Sequence, residues 1–221
     1  MQLAISHPWD PSIEEARALQ PKLAEKVLDQ TTFDPATLET VAGVDVSYRN
    51  KIAHAAVVVL SYPDLRPVDR AVSRTPAVFP YVPGLLTFRE GPSVLQALER
   101  LTIWPDLLMF DGHGVAHPRR IGLAAHIGVI LDHPSIGCAK SRLIGTHDEP
   151  GSDVGDWVPL TDKGEIIGAV VRTRAKVKPL FVSTGHRVDL ATAIAVVLTC
   201  TRGYRLPETT RLAHKLAGEQ D

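Results

Sequence analysis

Three acidic residues far apart in the chain, Asp45, Glu90 and Asp111, and one lysine, Lys140, are the first candidates for chemistry. Asp45 stands between Val44 and Val46 in a stretch that alternates like a strand, where a carboxylate is costly unless it is paired or binds a metal. A solvent-exposed strand face is the competing reading. Asp111 ends the apolar run 107–110, and the carboxyl ends of sheet strands are common binding positions in α/β folds; it could equally cap the turn with Gly112. Glu90 follows Thr87 by three residues and fits a capping box on its own. Lys140 follows a short predicted strand and, alone, reads as a surface lysine. Taken together, the carboxylates suit a hard divalent ion, which is held by one or two protein carboxylates plus water and phosphate oxygens. One or two such ions can drive in-line displacement at phosphorus, and a lysine can offset charge at the same centre.

Other groupings are weaker. His113 and His117 have a spacing that suits a metal on a helix, but Gly112, Gly114 and Pro118 make the segment a loop and argue against zinc. His186 and His214 read as polar or hydrogen-bonded residues. Arg172, Arg174, Lys176 and Lys178 alternate, so a strand there would place all four on one face. Such a face could hold phosphates or simply be solvated. Arg119, Arg120, Arg142 and Arg187 flank the candidate loops. There is no glycine-rich phosphate loop, no Gly-x-Ser-x-Gly elbow and no Cys-x-x-Cys pair.

The elements that must position these residues follow from periodicity. Ser12 and Glu15 form a capping box ahead of a helix in which Pro21 implies a kink or break. Strands are predicted at 40–48, 52–60 and 67–74, the first two joined by a turn at 49–51. A stiff loop at 80–84, held by Pro80 and Pro83, precedes a helix over 87–101. The run 107–110 predicts a fully buried strand. A helix over 118–131, a strand at 135–139, a strand or hairpin arm at 165–178, a strand at 180–183 and helices over 189–201 and 207–217 complete the chain. This order predicts an α/β fold with a central mixed sheet flanked by helices.

The chain has 221 residues, 44% of them hydrophobic, and no repeat or linker, which predicts one domain over 1–221. No apolar stretch is long enough to span a bilayer, so no membrane partner is expected. Two cysteines and no signal-peptide pattern fit a reducing cytoplasm. A net charge of −1 excludes a globally basic DNA-coating protein, so any positive surface must be local.

Six blocks in order resemble the endonuclease V family: 41–48 (VAGVDVSY), 80–90 (PYVPGLLTFRE), 111–122 (DGHGVAHPRRIG), 137–145 (GCAKSRLIG), 179–187 (PLFVSTGHR) and 203–211 (GYRLPETTR). The resemblance implies a ribonuclease H-like fold and dependence on Mg²⁺, with Mn²⁺ as a substitute. It implies that Asp45 and Asp111 bind the metal, that Glu90 and Lys140 complete the catalytic set, and that His214 in the final helix approaches the metal. The loop of Pro80, Tyr81 and Pro83 resembles the family's strand-separating wedge, and Gly84, Gly112 and Leu143 would line a hypoxanthine pocket. The implied partner is DNA containing deoxyinosine, cut at the second phosphodiester bond on the 3′ side to leave 3′-hydroxyl and 5′-phosphate ends. Inosine-containing RNA is the alternative substrate. Two readings compete from other classes: a non-catalytic nucleic-acid binding protein that kept the basic loops, and a hydrolase of small phosphate esters, which would have no use for a stiff tyrosine loop.

Overall fold

The first three strands come from continuous alternation. β1 (Thr40–Arg49), β2 (Ile52–Ser61) and β3 (Pro67–Pro76) form an antiparallel meander. Asn50 and Lys51 join β1 to β2, both with positive φ (48° and 65°), as a two-residue hairpin turn of matching twist requires. These coordinates are a computed structural model and describe residues 2–219; Met1 and the last two residues, which the expected 1–221 domain includes, lie outside the described residues.

β4 (Leu107–Phe110) and β5 (Ser135–Ala139) add to β1 in parallel, and β8 (Leu180–His186), β7 (Glu165–Val171) and β6 (Trp157–Asp162) continue antiparallel. One mixed sheet results, in the order β3-β2-β1-β4-β5-β8-β7-β6. Every residue of β4 is buried because helices cover both faces, which is why it reads as an unbroken apolar run.

Alternation sorts side chains between two cores. Val41, Leu107, Met109, Ile136 and Cys138 face α4 (Leu190–Thr199) and α5 (Glu208–Gly218), meeting Val197 and Ala213. Ala42, Val44, Leu108 and Phe110 face α2 (Leu86–Leu98) and α3 (Leu123–Leu131), meeting Val94, Leu98, Ala124 and Ile127. Each fully buried Val, Leu, Ile, Met or Phe among these contributes ~1.5–3 kcal/mol. Among the described residues, no helix is long and apolar enough to cross a membrane.

Several expectations need correction. α1 (Ile13–Ala24) has both halves of the Ser12–Glu15 capping box, but runs through Pro21 without breaking. α2 starts at Leu86, so Thr87 lies inside it; no side-chain cap forms, and the Thr87–Glu90 capping box is absent. α3 starts at Leu123 rather than 118, because Arg120 takes a left-handed φ of 55° and Gly122 caps the helix. β7 stops at Val171, so the four basic residues from Arg172 lie on a loop, not on a strand face. β8 extends to His186, and β6 was not anticipated. Residues 7–9, to which the sequence attached no role, lay His7 and Trp9 against Phe88 of α2 and His126 of α3.

Candidate active site

The strand register determines which acids meet. Odd positions of β1 and β4 point toward α5, and Gly43 pairs with Met109, so Asp45 and Asp111 emerge side by side at the sheet's end. Even positions of β5 share that face, which brings Lys140 in from the next strand. α5 lies unusually close to β1: a Cβ built on Gly43 would stand 2.0 Å from the Thr209 carbonyl oxygen. That approach carries His214 over the acids.

His214 Nδ1 donates to Asp45 Oδ2 at 2.7 Å. Lys140 Nζ stands 2.5 Å from Asp111 Oδ2, an ion pair outside hydrogen-bond angles, since that oxygen has no hydrogen-bond partner. One ligand atom each from Asp45, Asp111 and His214 lie within 4.8 Å of one another. The Asp45 and Asp111 side chains are only 11% and 8% exposed, so the solvated-face reading of Asp45 fails. Burial, and then the charge of Asp111, raise the Asp45 pKa, against the pull of His214 and Lys140.

Glu90 is not part of that triad. It is buried on α2, across the sheet's end from α5, and its pKa is raised to about 8 by burial and next by Asp45. Beside it lies the Tyr48 hydroxyl, buried and without a well-formed hydrogen bond, while Arg89 sits over the Tyr48 ring at 4.5 Å. The Asp45 and Asp111 carboxylates offer adjacent oxygens whose mutual repulsion a hard divalent cation would relieve, with His214 beside them. The residues present therefore fit such an ion.

Next to the acids, on the α2/α3 side, is a cavity of about 150 Å³. Tyr81, Pro83, Gly84, Gly112 and Leu143 all line it; Pro80 does not. Tyr81 is 70% exposed at its mouth. His113, His117, Thr87 and Leu123 also line it and were not singled out for it, although both histidines fall in the 111–122 block. His113 Nδ1 is buried with no hydrogen-bond partner.

Gly84 adopts φ +78°, a left-handed conformation that glycine reaches without strain. Its carbonyl oxygen accepts from Gln20 Nε2 (2.9 Å), His117 Nε2 (3.1 Å) and Arg119 Nη2 (2.9 Å). His117 Nδ1 in turn accepts from the Arg119 backbone N–H, so the ring is neutral with its proton on Nε2. Burial, with Arg119 nearby, lowers the His117 pKa to about 4. The 80–84 loop is thus fastened to α1 and to the 111–122 loop.

The flanking arginines are less available than expected. Arg120 pairs with Asp162 and Glu165, and Arg187 pairs with Asp132. Arg142 remains exposed.

The sequence profile of the endonuclease V family matches residues 21–215. An endonuclease V of Roseiflexus sp. (strain RS-1) is 54% identical over 217 residues, covering 98% of this chain and 97% of the relative. The crystal structure of an endonuclease V from Streptomyces avermitilis is 45% identical and superposes with a TM-score of 0.90, over 96% of this chain and 94% of that one. A Ciona intestinalis endonuclease V variant, solved in complex with a 23mer DNA containing an inosine followed by a ribo-adenosine, is 32% identical with a TM-score of 0.83, covering 94% of this chain and 96% of that one.

Proposed function

Since the chain belongs to the endonuclease V family, we propose that it is a Mg²⁺-dependent endonuclease of DNA repair. It hydrolyses the second phosphodiester bond 3′ to deoxyinosine, leaving 3′-hydroxyl and 5′-phosphate ends. The observation that carries the chemistry is the adjacency of Asp45, Asp111 and His214 at the end of one sheet.

Asp45 and Asp111 would hold the ion, which would supply charge stabilisation at phosphorus when bound; Mn²⁺ also suits carboxylate and water oxygens. Asp45 is fixed by the hydrogen bond from His214, so its second oxygen keeps a set direction. Lys140, 37% exposed and beside Asp111, reaches outward to a phosphate oxygen and offsets charge that develops there. Glu90 carries a proton near neutral pH in the arrangement described and would yield it when positive charge enters the site.

The base would leave the stack and enter the cavity behind Tyr81, which fills the gap with its ring. Extrusion costs a few kcal/mol, less at a deaminated base, and stacking on an aromatic returns ~1–3 kcal/mol. Pro80 and Pro83 restrict the loop, so little entropy is lost on insertion. Backbone groups at Gly84 and Gly112 and the unpaired His113 Nδ1 offer polar atoms to the base edge, with Leu143 packing on its face.

Matched DNA and RNA strands, each with one inosine, incubated with Mg²⁺ or EDTA, test this reading. The expected result is a metal-dependent nick at the second bond 3′ to deoxyinosine, abolished in Asp45→Ala and Asp111→Ala while strand binding persists. Full cleavage by both variants, or a cut at another bond, would overturn it. Cleavage of the RNA strand alone would move the substrate to inosine-containing RNA.

A further inference from the structure

The basic run that follows β7 has no part in the site above. Arg172 opens it, buried, and its guanidinium donates to the carbonyls of Gly151 (3.0 Å), Pro150 (3.2 Å) and Val177 and to Glu149 (2.8 Å). Arg205, just ahead of α5, donates to the carbonyls of Lys178 (2.8 Å), Pro179 (3.0 Å) and Lys140 (2.6 Å). Two arginines therefore tie the 172–178 loop and the Lys140 backbone into one frame.

That frame encloses an open groove of about 560 Å³. Lys140, Lys176, Lys178, His147 and Phe181 line it. Lys176 and Lys178 are exposed, and neither has an ion-pair partner among the described residues. The carboxylate in the groove, Glu149, is already paired with Arg172. The His147 ring meets Phe181 edge-on, with centroids 5.5 Å apart. Unpaired cations beside an aromatic floor suit a sugar-phosphate chain.

Lys140 belongs both to this groove and to the catalytic centre. The base cavity lies to one side of it, beside β4, α2 and α3, and the groove to the other, along the ends of β8 and β7. A strand whose base sits in the cavity and whose second 3′ phosphate reaches the acids runs 5′ to 3′ toward the groove.

We infer that this groove carries the phosphodiester backbone of the cut strand on the 3′ side of the scissile bond. The polarity rests on the inosine reading; the charge and position of the groove do not.

The test compares the unmodified protein with the double variant Lys176→Gln/Lys178→Gln in EDTA, by fluorescence anisotropy over a salt series. Single strands carry one inosine and either end two nucleotides past the scissile bond or extend ten further, as DNA and as RNA, with a matching series extended on the 5′ side. Each single-strand phosphate contact contributes ~0.7 to the slope of log affinity against log salt. The double variant is expected to lower that slope by about 1.4 on the long 3′ strand and to leave the short strand unchanged. A loss confined to DNA or to RNA assigns the groove to that backbone. Equal loss on short and long strands, loss that follows only the 5′ arm, or no loss would overturn the inference. If the unmodified protein binds adenine and inosine strands equally, the inosine reading fails alone, because a slope change on long strands of either base still reports the groove.

Discussion

Gly43 of β1 and Thr209 of α5 meet backbone to backbone: a Cβ on Gly43 would stand 2.0 Å from the Thr209 carbonyl oxygen. The helix can approach only because the strand has no side chain there, and His214 reaches Asp45 as a result. Gly43→Ala is expected to push α5 outward, destabilising the protein by ~1–3 kcal/mol as overpacking does. Nicking should fall beyond what lost stability explains, because the His214–Asp45 bond would lengthen. Urea melts and nicking rates at a temperature where the variant is fully folded check this, and undiminished turnover would count against a role for that contact.

Tyr81 stands exposed at the mouth of the cavity. Tyr81→Ala should lose ~1–3 kcal/mol of affinity for inosine strands, the worth of one base–aromatic stack. Tyr81→Phe should keep most of it, since stacking needs the ring and not the hydroxyl. Metal binding, read by titration calorimetry with Mn²⁺, should be the same in all three proteins.

Gln20 is almost fully buried, and its amide holds the Gly84 carbonyl. It also accepts from Arg119 Nε, so its removal takes a donor from the Gly84 carbonyl and an acceptor from Arg119 at once. Gln20→Ala is expected to cost ~1–3 kcal/mol of stability from the unsatisfied partners. It should also raise amide exchange across residues 80–84 and raise KM more than it lowers kcat. Unaltered exchange in that loop would show that the other two donors suffice.

Acidification should weaken the fold in two separate windows. His117 and His133 have pKa values lowered from 6.5 to about 4, chiefly by burial. The unfolded chain then binds more protons between these limits, so stability present above pH 6.5 is lost as pH falls toward 4. Asp132 is lowered from 3.8 to about 2 by hydrogen bonds from Arg187 and His186. Its contribution is present above pH 3.8 and lost as pH falls toward 2; being half-exposed, it is small. Glu90, raised to about 8, acts with the opposite sign between pH 8 and 4.5. Urea midpoints from pH 7.5 to 2.5 are therefore read in a Glu90→Gln background, where a flat midpoint between pH 6.5 and 4.5 would contradict the histidine assignment.

Asp45, Asp111 and Lys140 were legible because strand parity and the ordered blocks both point to one end of the sheet. Glu90 was ambiguous because Thr87 three residues earlier mimics a cap; only the position of the helix start, at Leu86, separates the two. The run from Arg172 was misplaced because alternation of residue type looks the same on a strand and on a loop whose arginines bind carbonyls. β6 escaped notice because Pro159 argues against a strand interior, yet β6 is the sheet's last strand, where proline is tolerated. The anchoring of Gly84 by Gln20 joins residues 64 positions apart, which no local pattern encodes.

The cavity opens on the α2/α3 face, whereas Asp45 and Asp111 point toward α5. On the proposed function, the place of recognition and the place of cleavage would be held apart by the rim of a single sheet. The backbone would then act as a ruler: loop substitutions would alter which base is admitted, while the offset between lesion and nick, set by architecture, should survive them.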